Sequence, residues 1–238
     1  MLRWTWLAAV ILGLPLLAKV PLQPVRLTNT DHVEFAPGGT IKVSGSMGQL
    51  DVEGWDRAEV EITVAKSTYR GGTPKERDEA TQELNLVRVV AERKSAGELV
   101  ISTSYPSRKL TRLFRGKTDL NLEYHIKVPR DSHVVIRHDD GDVRLYDLTG
   151  EIDATSRAGD IVLLLPASGQ YSIDAKCKVG GVYSDFDGNH RNQYLVGERF
   201  NEATPAPGSR VFLRVGMGGI QILKMAPSVR QPYPQPTP

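Results

Sequence analysis

Residues 134–163 read VVIRHDDGDVRLYDLTGEIDATSRAGDIVL and contain one twelve-residue pattern twice. Two apolar positions alternate with polar ones, a glycine stands seven residues after the first apolar position, and a second apolar pair follows it. The chain carries five copies of this pattern, in which the third position is loose. The copies are residues 41–52, 134–145, 152–163, 173–184 and 211–222. A repeat of this length indicates a fold built from stacked units.

The glycine of each copy is predicted to form a corner. Val134 and Ile136 share one face of a strand, but Val143 and Leu145 follow at an odd spacing, so a straight strand would direct the two pairs to opposite faces. Both pairs face one interior only if the chain bends near the glycine, which tolerates a positive φ. The equivalent glycines are Gly48, Gly141, Gly159, Gly180 and Gly218.

The spacing of the copies predicts a solenoid. The second, third and fourth copies begin 18 and 21 residues apart, which is the length of one coil of short strands. We therefore predict an all-β, single-domain β-solenoid of the right-handed β-helix type, with each coil stacked on the next. In this alignment Cys177 and His138 point inward and fill the core, while Asp139 and Arg157 form an ion pair between adjacent coils.

The chain outside the repeats divides into short segments. Arg3 precedes an apolar stretch that ends at Lys19, and this order is typical of a signal peptide. We predict a signal peptide or an uncleaved membrane anchor over 1–18, a linker over 19–39, an adhesin-like β-solenoid domain over 40–224 and a disordered, Pro-rich tail over 225–238. The chain is thus expected to be exported, to the periplasm, the cell envelope or the extracellular space.

Between the first and second copies the sequence predicts ordinary strands and one helical turn. Alternating apolar residues place strands at 59–66, 84–92, 98–104 and 119–128, and Pro74 begins a short helical turn over 74–83.

Composition excludes several classes of function. The 30 Lys and Arg residues nearly balance the 28 Asp and Glu residues, so the net charge of +2 gives no reason to expect a nucleic-acid partner. Cys177 is the one cysteine, which excludes an intramolecular disulfide and metal sites built on several cysteines. The common hydrolase, metalloprotease and phosphate-binding motifs do not occur. We predict no catalytic residues, no cofactor and no metal site.

Two longer stretches carry a family resemblance. Residues 120–166 (LNLEYHIKVPRDSHVVIRHDDGDVRLYDLTGEIDATSRAGDIVLLLP) and residues 48–66 (GQLDVEGWDRAEVEITVAK) resemble the bacterial adhesin-like domain family of unknown function, with its head-GIN-type repeats. The resemblance covers roughly residues 40–224 and implies an exported, β-helix-like protein, often tethered at the envelope. It supplies no catalytic residues, and residues 185–207 depart from the more regular members as an insertion.

Two groups of charged side chains are candidate sites. An acidic turn forms the first, and the alignment of Asp142 with Asp160 on adjacent coils suggests either bound calcium or exposed carboxylates paired with Arg137 and Arg157. Its members are Asp139, Asp140, Asp142 and Asp160. The second is a basic stretch interleaved with apolar residues, which fits an anionic surface or a solvated loop. Its members are Arg108, Lys109, Arg112, Arg115 and Lys117.

The predicted function is an exported adhesin-like binding or structural module of the cell envelope, without catalysis. Its expected partner is an envelope or surface ligand, either a glycan, a lipid headgroup or a protein, and exposed strand edges at the solenoid ends allow self-association. The alternative is a glycan-active lyase or hydrolase on a β-helix, in which the acidic turn binds calcium.

Overall fold

The computed structural model describes residues 24–69, 72–104, 120–193, 196–202 and 208–225. Strands dominate these ranges and confirm the all-β prediction. The first seven strands are β1 (Val25–Glu34), β2 (Thr40–Met47), β3 (Gln49–Trp55), β4 (Glu59–Thr68), β5 (Arg88–Ser95), β6 (Glu98–Ser104) and β7 (Asn121–Pro129). The next five are β8 (His133–Asp140), β9 (Val143–Tyr146), β10 (Ile152–Ala158), β11 (Ile161–Pro166) and β12 (Tyr171–Val179). The last five are β13 (Val182–Ser184), β14 (Asn189–Gln193), β15 (Gly197–Asn201), β16 (Ser209–Met217) and β17 (Ile220–Met225), and the helix is α1 (Pro74–Leu86).

The strands form two sheets that enclose one core. Sheet A has the order β1-β4-β7-β3-β9-β11-β17-β13, and sheet B has the order β14-β15-β12-β16-β10-β8-β2-β6-β5. Each copy of the repeat places its first strand in sheet B and its second strand in sheet A, and neighbouring copies pair in parallel. The apolar residues of both sheets point inward, so that side chains such as Ile136, Leu145 and Leu213 are fully buried.

The predicted corners are confirmed at all five glycines. Their φ angles lie in the positive region, at 96° for Gly48, 114° for Gly141, 107° for Gly159, 131° for Gly180 and 138° for Gly218. Hydrogen bonds between coils continue through the bend, because the amide of Gly141 donates to the carbonyl of Ala158 at 3.1 Å and that of Gly159 donates to Met217 at 2.9 Å. The two sheets are therefore joined by one row of glycines.

The order of the copies in the sheets differs from the prediction at one place. The fifth copy lies between the third and the fourth, because β16 pairs with β10 on one side and with β12 on the other. The prediction that each coil stacks on the next is wrong for the fourth copy. Within the insertion, β15 pairs antiparallel with one edge of β12, and β16 occupies the other edge.

The segments outside the repeats also differ from the prediction. The segment 19–39 was expected to be a linker, but Val25–Glu34 forms β1 and pairs antiparallel with β4 along its whole length. The helix begins at Pro74, as predicted, and Thr73 and Glu76 form a capping box there. It is longer than the predicted turn, since it continues to Leu86 through residues expected to begin a strand.

The predicted ends of the chain fall largely outside the described residues. Residues 1–18, expected to be a signal peptide or anchor, and residues 226–238 of the expected tail are not among them. Met225, assigned to that tail, is the last residue of β17. Within the described ranges, no helix is long and apolar enough to cross a membrane.

Candidate functional site

The inward-facing residues beside the corners are structural. Cys177 is fully buried, as predicted, and its thiol donates a hydrogen bond to the carbonyl oxygen of Gly218 at 2.8 Å. Burial raises the pKa of the Cys177 thiol above its ordinary value. His138 is also buried, with Nδ1 2.7 Å from the hydroxyl of Ser46. Neither the thiol nor the imidazole is open to a ligand.

Two of the four aspartates of the acidic turn accept hydrogen bonds from backbone amides of neighbouring copies. Oδ1 of Asp142 accepts a hydrogen bond from the amide of Asp160 at 3.0 Å, and Oδ1 of Asp160 accepts one from the amide of Gly219 at 2.7 Å. These amides lie at the bend, and the aspartates satisfy donors there. The carboxylates therefore stabilise the corner row.

The ionic environment of this turn agrees with the predicted pairing to arginines only in part. Arg137 forms a two-point pair with Asp153, at 3.0 Å and 2.9 Å, and not with the acidic turn. Arg157 lies 3.8 Å from Asp140, which replaces the predicted pair with Asp139. Among the described residues, no group of three or more His, Cys, Asp or Glu side chains is arranged to hold a metal ion.

The predicted basic stretch lies outside the described residues, which resume at Leu120. A different basic group stands on the outer face of sheet B, where β12, β16 and β10 are neighbours. Arg214 of β16 pairs in register with Thr155 of β10 and with Lys176 of β12. At the next outward position, Gly216 lies between the strands that carry Arg157 and Lys178. We call Arg157, Lys176, Lys178 and Arg214, together with Gly216, the cationic notch.

Gly216 leaves the floor of the cationic notch open. A Cβ atom at this position would lie 2.4 Å from the carbonyl oxygen of Arg157, so the backbone approach excludes a side chain. A cavity of about 360 Å³ results, with the longer side chains of the neighbouring strands around it. Its volume lies near the lower end of the range of about 300–1,000 Å³ that is typical of small-molecule sites.

The cationic notch contains more positive than negative charge. Asp174 is bound by two guanidinium groups at once, that of Arg214 at 2.6 Å and that of Arg199 at 3.1 Å. Burial opposes the ionisation of Asp174, but the hydrogen bonds and charges of Arg214 and Arg199 together lower its pKa. In the described part of the chain, no carboxylate forms an ion pair with Lys176 or Lys178. Among the described residues, an incoming anion would therefore find Lys176 and Lys178 without a paired carboxylate, whereas Arg214 is already paired with Asp174 and Arg157 lies 3.8 Å from Asp140.

Arg214 is held in place by hydrogen bonds and by an aromatic ring. The Nη1 atom of Arg214 donates to the carbonyl oxygens of Asp174 and Leu213, both at 2.8 Å. Its guanidinium carbon also lies 3.7 Å from the ring centroid of Phe212. Arginine and lysine donors in such an arrangement bind phosphate, sulfate or carboxylate oxygens through charge-assisted hydrogen bonds.

A second cavity, of about 620 Å³, lies where β1 ends and the β5–β6 turn begins. Acidic and basic side chains are balanced there: Arg57 pairs with Glu59 at 3.3 Å, and Arg93 donates to the backbone carbonyl of Glu34. This surface has no excess charge with which to select a ligand.

Comparison with known proteins identifies the fold. No protein-family model and no curated protein matches the sequence. A candidate cell adhesion protein from Clostridium sporogenes has a similar structure, with a TM-score of 0.51, 13% identity, and coverage of 85% of this chain and 100% of that chain. At this identity the similarity shows the fold alone.

Two further solved structures align more weakly. A candidate adhesin from Bacteroides fragilis has a TM-score of 0.24 at 10% identity, with 83% of this chain and 97% of that chain covered. A candidate lipid-binding protein from Parabacteroides distasonis has a TM-score of 0.22 at 12% identity, with 83% and 96% covered. These scores are too low to support an argument about function.

Proposed function

We propose that the chain is a non-catalytic, adhesin-like binding module of the cell envelope that binds an anionic ligand at the cationic notch. The observation that carries this proposal is the group of four cations around Gly216, in which Lys176 and Lys178 have no described carboxylate partner. A rigid sheet that presents such a group selects negatively charged oxygens and needs no catalytic residue to do so.

The proposal includes a finer description of the fold and the location. We interpret the five coils joined by corner glycines as a short β-solenoid of the adhesin-like domain family, exported through residues 1–18. The parallel pairing of β8, β10 and β16 supports the solenoid. The mass and cell fraction of the native protein test the export: a chain beginning at Lys19, or a full-length chain in the membrane fraction, agrees with it, and a full-length cytosolic chain contradicts it.

Binding to a defined polyanion tests the proposed function. Wild-type protein should bind dextran sulfate but not uncharged dextran, and the affinity should fall as salt screens the charges. The Lys176→Gln/Lys178→Gln variant should bind about tenfold more weakly, because two exposed charge contacts are lost. The matched control is Lys75→Gln/Lys94→Gln, which removes the same charge from α1 and β5. Equal loss in both variants would show that the notch has no special role.

The described geometry disfavours the alternative of a glycan-active enzyme. Asp142 and Asp160 already accept hydrogen bonds from backbone amides, which reduces their availability for acid–base chemistry. An enzyme would shorten acidic polysaccharide chains, and the Asp160→Asn variant would abolish this. Unchanged chain length after long incubation agrees with a binding module.

The basic stretch remains predicted to make a second contact with an anionic surface. Its residues are Arg108, Lys109, Arg112, Arg115 and Lys117. The Arg112→Glu/Arg115→Glu variant tests it in the same assay, and an unchanged dextran sulfate affinity would remove this stretch from the binding surface.

A further inference from the structure

A row of exposed apolar side chains runs along the corner of the stack beside the cationic notch. Met217 precedes the corner glycine of the fifth copy and is 63% exposed, and Val179 holds the equivalent place in the fourth copy at 45%. Val196 is 61% exposed and accepts a hydrogen bond through its carbonyl from the corner glycine Gly180 at 2.9 Å. We call Met217, Val179 and Val196 the corner ridge.

The corner ridge is continuous. Val179 and Met217 are direct register partners in β12 and β16, and adjacent strands lie about 4.8 Å apart. Val179 and Met217 therefore stand side by side at the corner, the backbone of Val196 is hydrogen-bonded to the adjacent Gly180, and all three side chains are exposed. Isolated apolar residues are common on protein surfaces, whereas a contiguous group indicates an interaction surface.

The corner ridge and the cationic notch form one amphipathic surface. Lys178 directly precedes Val179, and Gly216 on the floor of the notch directly precedes Met217. Lys178 and the floor of the notch thus adjoin the exposed apolar residues at the same ends of β12 and β16. An apolar strip bordered by lysine and arginine is the combination that binds at the interface of an anionic bilayer.

We propose that this corner docks on the surface of an anionic lipid bilayer. The corner ridge enters the boundary between headgroups and acyl chains, and the cationic notch contacts the phosphate groups of the lipids. The inference rests on the proposed function, because the same cations bind the anion in both. A soluble acidic glycan satisfies the charges but offers no apolar environment for Met217, Val179 and Val196, and this difference favours the lipid surface.

Vesicle binding separates the two parts of this surface. We would measure partition onto vesicles of equal parts phosphatidylglycerol and phosphatidylcholine, and onto phosphatidylcholine alone, in parallel with dextran sulfate affinity. The Val196→Ser/Met217→Ser variant should lose at least about tenfold in partition onto the anionic vesicles, because less apolar surface is buried. Its dextran sulfate affinity should not change.

The Lys176→Gln/Lys178→Gln variant should partition about 30-fold more weakly onto the anionic vesicles, because each lysine contact with the lipid surface contributes about fivefold. It should also bind dextran sulfate more weakly.

The controls are chosen at the opposite end of the molecule. Leu86 and Val90 are exposed apolar residues of α1 and β5, at 44% and 45%, and the Leu86→Ser/Val90→Ser variant should partition like wild type. If the Val196→Ser/Met217→Ser variant partitioned onto the anionic vesicles as strongly as wild type, the bilayer inference would be overturned. The proposed function would still stand if the Lys176→Gln/Lys178→Gln variant lost dextran sulfate affinity. If wild type bound dextran sulfate but not the vesicles, the bilayer inference would also be overturned and the proposed function would stand. Failure of wild type to bind either probe would contradict both.

Discussion

The carbonyl oxygen of Gly141 occupies the space in which a Cβ atom on Gly159 would lie, since the two atoms would be 2.1 Å apart. The same relationship links each neighbouring pair of corner glycines, with Gly218 against Gly159 at 2.3 Å and Gly180 against Gly218 at 1.9 Å. Neighbouring copies thus approach one another closely at the bend, and this approach depends on the absence of side chains.

Substitution of Gly159 by alanine should destabilise the fold strongly. The new Cβ would overlap the Gly141 carbonyl, and alanine would adopt a φ of 107°, so we expect a loss of at least about 3 kcal/mol in the free energy of unfolding. Urea unfolding measures it. Gly97→Ala is the control, since a Cβ there meets nothing within 4 Å, and it should change stability by less than about 1 kcal/mol. Similar effects of the two substitutions would argue against the glycine row.

The Asp160 side chain should contribute to stability without calcium. In the Asp160→Ala variant the Gly219 amide loses its acceptor, which should lower the free energy of unfolding by about 1–2 kcal/mol. Asp160→Asn keeps an oxygen acceptor and should lose less. Thermal unfolding with calcium or with a chelator should give the same midpoint. A midpoint that rises in calcium for wild type, but not for Asp160→Asn, would instead support a calcium site.

His138 should make the protein less stable in mild acid. Burial lowers the pKa of His138 below its ordinary value of 6.5, more than the nearby Asp139 and Asp140 carboxylates raise it. The unfolded chain therefore binds the proton more readily than the folded chain, and stability should fall as the pH decreases below about 6.5. Urea unfolding at several pH values measures the slope.

The matched variant for this measurement is His138→Ser, because Ser156 stands at the register position of His138 in the next coil. Between pH 5 and 7, a window of about two units around the ordinary histidine pKa, the free energy of unfolding of this variant should depend less on pH than that of wild type. An identical slope in the variant would assign the pH dependence to other groups.

Cys177 should be inert in the native protein. Its side chain is fully buried and its pKa is raised by burial, so a disulfide-exchange reagent should label it only as fast as the protein unfolds. The Cys177→Val variant should keep its stability to within about 1.5 kcal/mol, because Val215 occupies the paired position in β16. Rapid labelling under native conditions would show that the thiol is accessible.

Much of the fold could be predicted because the repeat encodes local geometry. The odd spacing around Gly141 and Gly159 predicts a bend with positive φ, and both glycines have it. The order of the coils could not be predicted in this way. The third, fourth and fifth copies follow the same apolar pattern, so the pattern does not encode which copies become neighbours. In the structure β16 lies between β10 and β12, and β15 takes the other edge of β12.

The candidate site could not be predicted for the same reason. Arg157, Lys178 and Gly216 come from three different copies and meet only because β16 lies between β10 and β12. Arg157 and Lys178 stand at equivalent positions of the third and fourth copies, but the repeat alone does not show that Gly216 lies between them. The charge balance of the whole chain hides it, since the excess positive charge is local.

The most direct test of the binding account is a residue-by-residue map of the contact. Amide chemical shifts of isotope-labelled protein would be followed while a short dextran sulfate oligosaccharide is added. The account predicts that the largest changes occur in β10, β12 and β16 around Arg157, Lys178 and Gly216, and that they disappear in Lys176→Gln/Lys178→Gln. Changes concentrated elsewhere, or no changes at all, would contradict it.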